Sequence, residues 1–90
     1  MKNFGEDATI LAAQGALEGL AGVELFFTQA FEMLPNPEFS VTSMTYSRDA
    51  VLLRWTATAP TGRINDGVDT FVFADDAIRL ETTSFTVEPL

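Results

Sequence analysis

The feature that most narrows what this chain can become is a change of hydrophobic period at Pro35-Asn36-Pro37. From Leu20 to Leu34 the apolar residues Val23, Phe26, Phe27, Ala30, Phe31 and Leu34 recur every three or four positions, with Glu24, Thr28 and Glu32 between them. That spacing predicts an amphipathic helix. The prolines end it, because proline lacks the amide donor of the next turn and restricts the residue before it. Beyond Pro37 the period is two. Phe39 to Ser47, Val51 to Ala59, Ile64 to Ala74 and Ile78 to Val87 read as four consecutive strands rich in β-branched and aromatic residues. Ser47-Arg48-Asp49, Pro60-Thr61-Gly62-Arg63 and Asp75-Asp76-Ala77 connect them, and links this short make neighbours antiparallel. Asn65-Asp66-Gly67 inside the third strand predicts a bulge. Ahead of the helix, Ala8 to Ala13 suits a short strand, and Gly15 and Gly19 predict a turn instead of one helix from Asp7 to Leu34.

The expectation is one α+β domain over residues 1–90: a curved antiparallel sheet of four to five strands packed on one main helix, a cone-like or cystatin-like roll. One helix covers only one side of such a sheet. On the other side Leu52 stands beside Arg54, Thr56 and Thr58, and Leu80 beside threonines and Ser84. A solvated threonine face would account for the hydroxyls alone. The two leucines favour a homodimer packed sheet to sheet.

Composition removes several classes of function. With neither cysteine nor histidine there is no disulfide, thiolate nucleophile, cysteine zinc site or imidazole base, and no metal or cofactor is expected. Thirteen acids against five bases leave a net charge of −8. Lys2, Arg48, Arg54, Arg63 and Arg79 make no basic stripe, which argues against nucleic acid and against anionic membrane surfaces. The apolar stretch from Ala8 to Leu34 is broken by Glu18, Glu24 and Glu32 and predicts no membrane span. Met1-Lys2-Asn3 leads into Gly5-Glu6-Asp7 without an apolar run, so the expected location is the cytoplasm. Asp66 with Asp75-Asp76 lacks the spacing of a calcium loop and reads as turn chemistry.

The succession of Asp7-Ala8-Thr9, Leu17-Glu18-Gly19 ahead of Phe26-Phe27, Leu53-Arg54-Trp55-Thr56, Asp66 to Phe73 and Asp76-Ala77-Ile78-Arg79 resembles the nuclear-transport-factor-2-like superfamily, in its SnoaL-like branch. The resemblance spans nearly the whole chain. It implies a curved sheet wrapped into a cone, a ligand pocket inside it, and often a dimer interface on the sheet's outer face. Two departures stand out. Members usually begin with two further helices that close the cone, whereas this pattern starts almost at the first strand. The implied pocket is open on one side, and is shallow, covered by a partner chain, or filled by Phe26, Phe27 and Phe31. SnoaL-like members also commonly carry, on the last strand, a histidine and two residues later an aspartate pointing inward. The matching positions here are Glu81 and Thr83.

Glu81 and Asp69 are the candidate catalytic residues, since strands meeting at the Asp75-Asp76 turn bring their neighbourhoods together. A carboxyl buried beside Phe85 and Trp55 would have a raised pKa and could act as general base on a carbon acid, as isomerases of the superfamily do. The plainer alternative pairs Glu81 with Arg79 or Arg54 and leaves Asp69 solvated. Arg54 or Tyr46 could serve as polar helper, although a tyrosine near a strand end is ordinarily a packing residue. Trp55, Arg54, Tyr46, Thr83, Phe85 and Phe27 are the candidate pocket residues. Three functions stay open at this stage. They are a small homodimeric protein binding an apolar or mixed ligand without turnover, an isomerase, cyclase or epoxide hydrolase, and a protein–protein interaction module.

Overall fold

A computed structural model describes residues 3–90; Lys2, counted above among the bases, lies outside the described residues. The elements are β1 (Phe4–Ala12), β2 (Gly15–Glu18), α1 (Gly19–Met33), β3 (Glu38–Tyr46), β4 (Ala50–Ala59), β5 (Gly62–Ala74), β6 (Ala77–Ser84) and β7 (Glu88–Pro89). The helix and the four long strands form where the two periods predict them. The sheet is larger than the expected four to five strands: seven strands run in the order β2-β1-β6-β5-β4-β3, with β7 paired to β5.

The extra strands come from the two ends of the chain. Gly15 and Gly19 adopt φ of 135° and 72°, conformations that break a helix, and the segment between them pairs back on β1 as a hairpin. β1 then lies parallel to β6, with Ile10 opposite Glu81, so the sheet is not wholly antiparallel. The last strand stops at Ser84 instead of running to Val87. The cause is the bulge in β5. Trp55 opposes Gly67 while Ala57 opposes Ile64, which leaves one extra residue on β5 and turns its tip. Asp66 Oδ1 accepts from the Thr86 amide at 2.8 Å and Asn65 Nδ2 donates to Glu88 Oε2 at 3.0 Å. Phe85 to Val87 leave the ladder as a strap, and β7 pairs with Gly62 and Arg63.

Packing decides where the interior is left open. Helix α1 has no side-chain cap, no acid in its first turn and no base in its last, so its stability comes from burying one face. Val23 and Phe26 pack with Ala8 and Ile10 of β1. Leu34, after donating its amide to Ala30 at 3.0 Å, closes a second cluster with Ala57 and Ile64. The helix therefore sits over β1 and β2. The inner face of the remaining strands is separated from it by a cavity, and β3, at the free edge of the sheet, has all nine residues exposed.

Candidate functional site

Alternation along three neighbouring strands carries the polar residues of the cavity. Leu53 lies opposite Asp69, Asp69 opposite Thr83, and Phe71 opposite Glu81, so Asp69 and Glu81 are diagonal neighbours on the inner face. Together with Thr83 and Trp55 they border a cavity of about 280 Å³ between α1 and the sheet. The other walls are apolar, with Phe26, Phe27, Phe31, Phe39, Phe71 and Phe85 prominent.

Asp69 is held from two sides. Its Oδ1 accepts from Trp55 Nε1 at 2.9 Å and from Thr83 Oγ1 at 2.8 Å, an acceptor-only role that suits a carboxylate. Trp55 reaches it because Gly67, directly across the ladder, has no side chain and the indole lies over its backbone. Phe39 and Phe85 flank the indole at ring-centre distances of 5.6 and 5.7 Å.

Glu81 is only 2% exposed, and its Oε1 has no hydrogen-bond partner. Burial first, and then the hydrogen bond and charge of the neighbouring Asp69, push its carboxyl up to about 9. Glu81 is therefore neutral at pH 7 and has a proton to donate.

The other predicted residues divide cleanly. Phe27, Trp55, Thr83 and Phe85 border the cavity, and the phenylalanines line it without filling it. Arg54 is exposed and, as the neighbour of Trp55 along β4, points to the opposite face. It does not pair with Glu81, and neither does the exposed Arg79; the ion pair found among the described residues is Arg63 with Glu88 at 3.7 Å. Tyr46 is 70% exposed at the end of β3, its hydroxyl 3.7 Å from Met44 Sδ, and is not part of the lining. Phe71, which the aromatic pattern of the third strand also offers as a pocket residue, lines the cavity, whereas Leu53, Phe39 and Val41 are lining residues that the sequence reading did not single out. Leu53 was accessible to it, since it lies two positions from Trp55 on the same strand face.

The SnoaL-like domain profile matches residues 1–81. The chain belongs to the SnoaL-like family. Solved structures agree on the fold at low identity. A candidate SnoaL-like polyketide cyclase from Jannaschia sp. CCS1 is 21% identical with a TM-score of 0.78, the match covering 93% of this chain and 67% of that one. A candidate polyketide cyclase from Sinorhizobium meliloti is 15% identical with a TM-score of 0.79, covering 92% and 76%. A candidate hydroxylase from Streptomyces galilaeus is 16% identical with a TM-score of 0.73, covering 94% and 72%. No curated protein sequence matches the chain. The SnoaL-like chain thus has the cone of the nuclear-transport-factor-2-like fold, one helix packed on a curved sheet. Among the described residues no helix is long and apolar enough to cross a membrane, and no group of three or more acidic side chains is placed to hold a metal ion.

Proposed function

We propose that this SnoaL-like protein binds a small, mostly apolar carbonyl compound in the cone and moves protons on it. Asp69 takes the proton from the carbon next to the carbonyl, and Glu81 gives a hydrogen bond to the carbonyl oxygen as it becomes an oxyanion. The observation that carries this reading is the buried Glu81 carboxyl, with an oxygen lacking any partner, beside the Asp69 carboxylate at one side of an otherwise apolar cavity. Trp55 and Thr83 hold Oδ1, so the second oxygen of Asp69 is the one to receive the substrate proton, and the Glu81 hydrogen turns from Asp69 to the carbonyl oxygen when the ketone binds. A neutral carboxyl group is a strong donor to an oxyanion when water is excluded, because a fixed hydrogen bond is worth more at low dielectric.

Binding without turnover explains less. A cavity built only to hold an apolar ligand gains nothing from two carboxyl groups whose desolvation is costly. The volume lies at the lower edge of the ~300–1,000 Å³ of small-molecule sites, which fits a compact ligand. The cyclase names of two structural neighbours are in keeping with this chemistry, since an aldol ring closure begins with removal of a proton next to a carbonyl.

The test uses 2-tetralone, a compact bicyclic ketone, in deuterium oxide. The wild-type chain is expected to speed deuterium exchange at the carbon between carbonyl and ring, followed by proton NMR. Asp69→Asn is expected to slow it about 100-fold or more. A ketone that binds but exchanges at the buffer rate would leave only the binding role.

We also propose that two copies pair through the outer face of β4 to β6. Leu52 opposite Thr70 and Val72 opposite Leu80 form an uncharged patch there. Leu80→Lys is expected to convert dimer to monomer by sedimentation velocity; a monomeric wild-type chain would end this part of the proposal.

A further inference from the structure

A second cavity adjoins the first. It is a groove of about 580 Å³ beside α1, near the ends of β1 and β6. Phe26, Ala30, Thr83 and Phe85 border both spaces, so the partition between them is a few side chains thick. Phe85 belongs to the strap after β6, where the ladder has ended, and touches both core clusters. The far walls of the groove differ in kind from those of the cone. They carry the amides of Gln14 and Gln29, the hydroxyl of Ser84 and the carboxylate of Glu32. Glu32 is the groove's one charged residue, on a chain whose net charge is −8.

We infer that the ligand is bipartite: an apolar carbonyl-bearing body sits in the cone against Asp69 and Glu81, and a neutral or cationic arm carrying hydrogen-bond donors passes Ala30 and Phe85 into the groove. The inference rests on the cone being a ligand site. Amide and hydroxyl groups accept from and donate to a neutral arm, Glu32 attracts an ammonium, and a carboxylate or phosphate on the arm would meet Glu32 with no compensating base. Thr83 stands at the junction, with its hydroxyl on Asp69, so the arm's path runs past the residue that orients the base.

The experiment compares 2-tetralone with three derivatives bearing a short arm at position 6, ending in a hydroxyl, an ammonium or a carboxylate, by titration calorimetry. The hydroxyl and ammonium arms are expected to bind about tenfold tighter than 2-tetralone, the gain of one or two hydrogen bonds of ordinary net strength. The carboxylate arm is expected to bind more weakly than 2-tetralone itself. Glu32→Gln, an exposed change on α1, is expected to narrow the ammonium–carboxylate difference while leaving 2-tetralone affinity in place. If 2-tetralone binds and the arms add nothing, the groove is no subsite and the cone reading stands. If none of the four binds, both fall.

Discussion

At pH 8 the Glu81→Gln protein is expected to melt about 10–20 °C above the wild-type chain, and at pH 4.5 the two are expected to melt together. The amide keeps the shape of the side chain and removes its ionisation. Unfolded, Glu81 titrates near 4.5; folded, burial and the Asp69 carboxylate raise it to about 9. Between those values the folded chain binds more protons than the unfolded one, so stability is complete below pH 4.5 and is lost as pH rises toward 9. At ~1.4 kcal/mol per unit the loss at pH 8 has a ceiling near 5 kcal/mol, and partial relaxation around the buried pair brings it to roughly 3 kcal/mol. Thermal melts of both proteins from pH 4 to 9 check this. Parallel curves would mean that Glu81 is not the buried acid described above. The same substitution is expected to slow 2-tetralone exchange, though less than Asp69→Asn does, since an amide still donates to an oxyanion. Stability would rise where chemistry is lost, as expected of a group retained for function.

Asp66 has the opposite sign. The Thr86 amide at 2.8 Å holds its carboxyl below the usual value, and that contribution is present above about pH 4 and lost as pH falls further. Being fully exposed, Asp66 matters less than Glu81. The wild-type optimum is therefore expected in the acidic range, between the two windows. Relief of self-repulsion in a chain of charge −8 acts in the same direction on both proteins, which is why their difference is the informative quantity.

The parts of this fold that were legible in the sequence are the local ones. The helix and four strands follow from period and from turn residues, and the β5 bulge follows from Asn65-Asp66-Gly67, all within a few positions of each other. The β1–β6 pairing was not legible, because it joins Ile10 to Glu81 across most of the chain and no local pattern encodes a parallel partner. The early end of β6 was hidden for a related reason: Phe85-Thr86-Val87 continues the strand pattern, and what diverts it is Asp66 on the far side of the bulge. In the site, the diagonal placement of Asp69 and Glu81 was not legible: counting back from the Asp75-Asp76 turn sets Glu81 opposite Thr70, on the other face, and a register shift between Val72 and Phe73 is what brings it opposite Phe71 and beside Asp69. Arg54 could have been excluded by strand alternation alone, since it is adjacent to Trp55 in one strand and the two cannot share a face. The Trp55–Asp69 bond needed the bare backbone of Gly67, a residue read only as a sign of the bulge.

Gly67→Ala puts that last point to the test, and its effect is expected to be as large as that of Glu81→Gln. A Cβ at position 67 would overlap the six-membered ring of Trp55, where no rotation of a flexible chain end relieves the clash. The indole must lift, losing its 2.9 Å bond to Asp69 and its packing against Phe39 and Phe85. Overpacking of a filled site together with a broken hydrogen bond at a buried carboxyl costs about 3 kcal/mol. That is a large share of the total stability of a domain this small. Trp55 is the chain's one tryptophan, so its emission, expected to shift to longer wavelength in the folded variant, reports the movement directly. The expected cost falls below about 1 kcal/mol in a Trp55→Phe background, where the smaller ring leaves room for the methyl group. An equal cost in both backgrounds would place the strain in the β5 backbone and not at the indole. In the folded Gly67→Ala protein Asp69 loses the indole donor and keeps Thr83, and 2-tetralone exchange is expected to fall even at temperatures where the variant is fully folded. A loss of that kind would separate the orientation of the base from the stability of the fold that carries it.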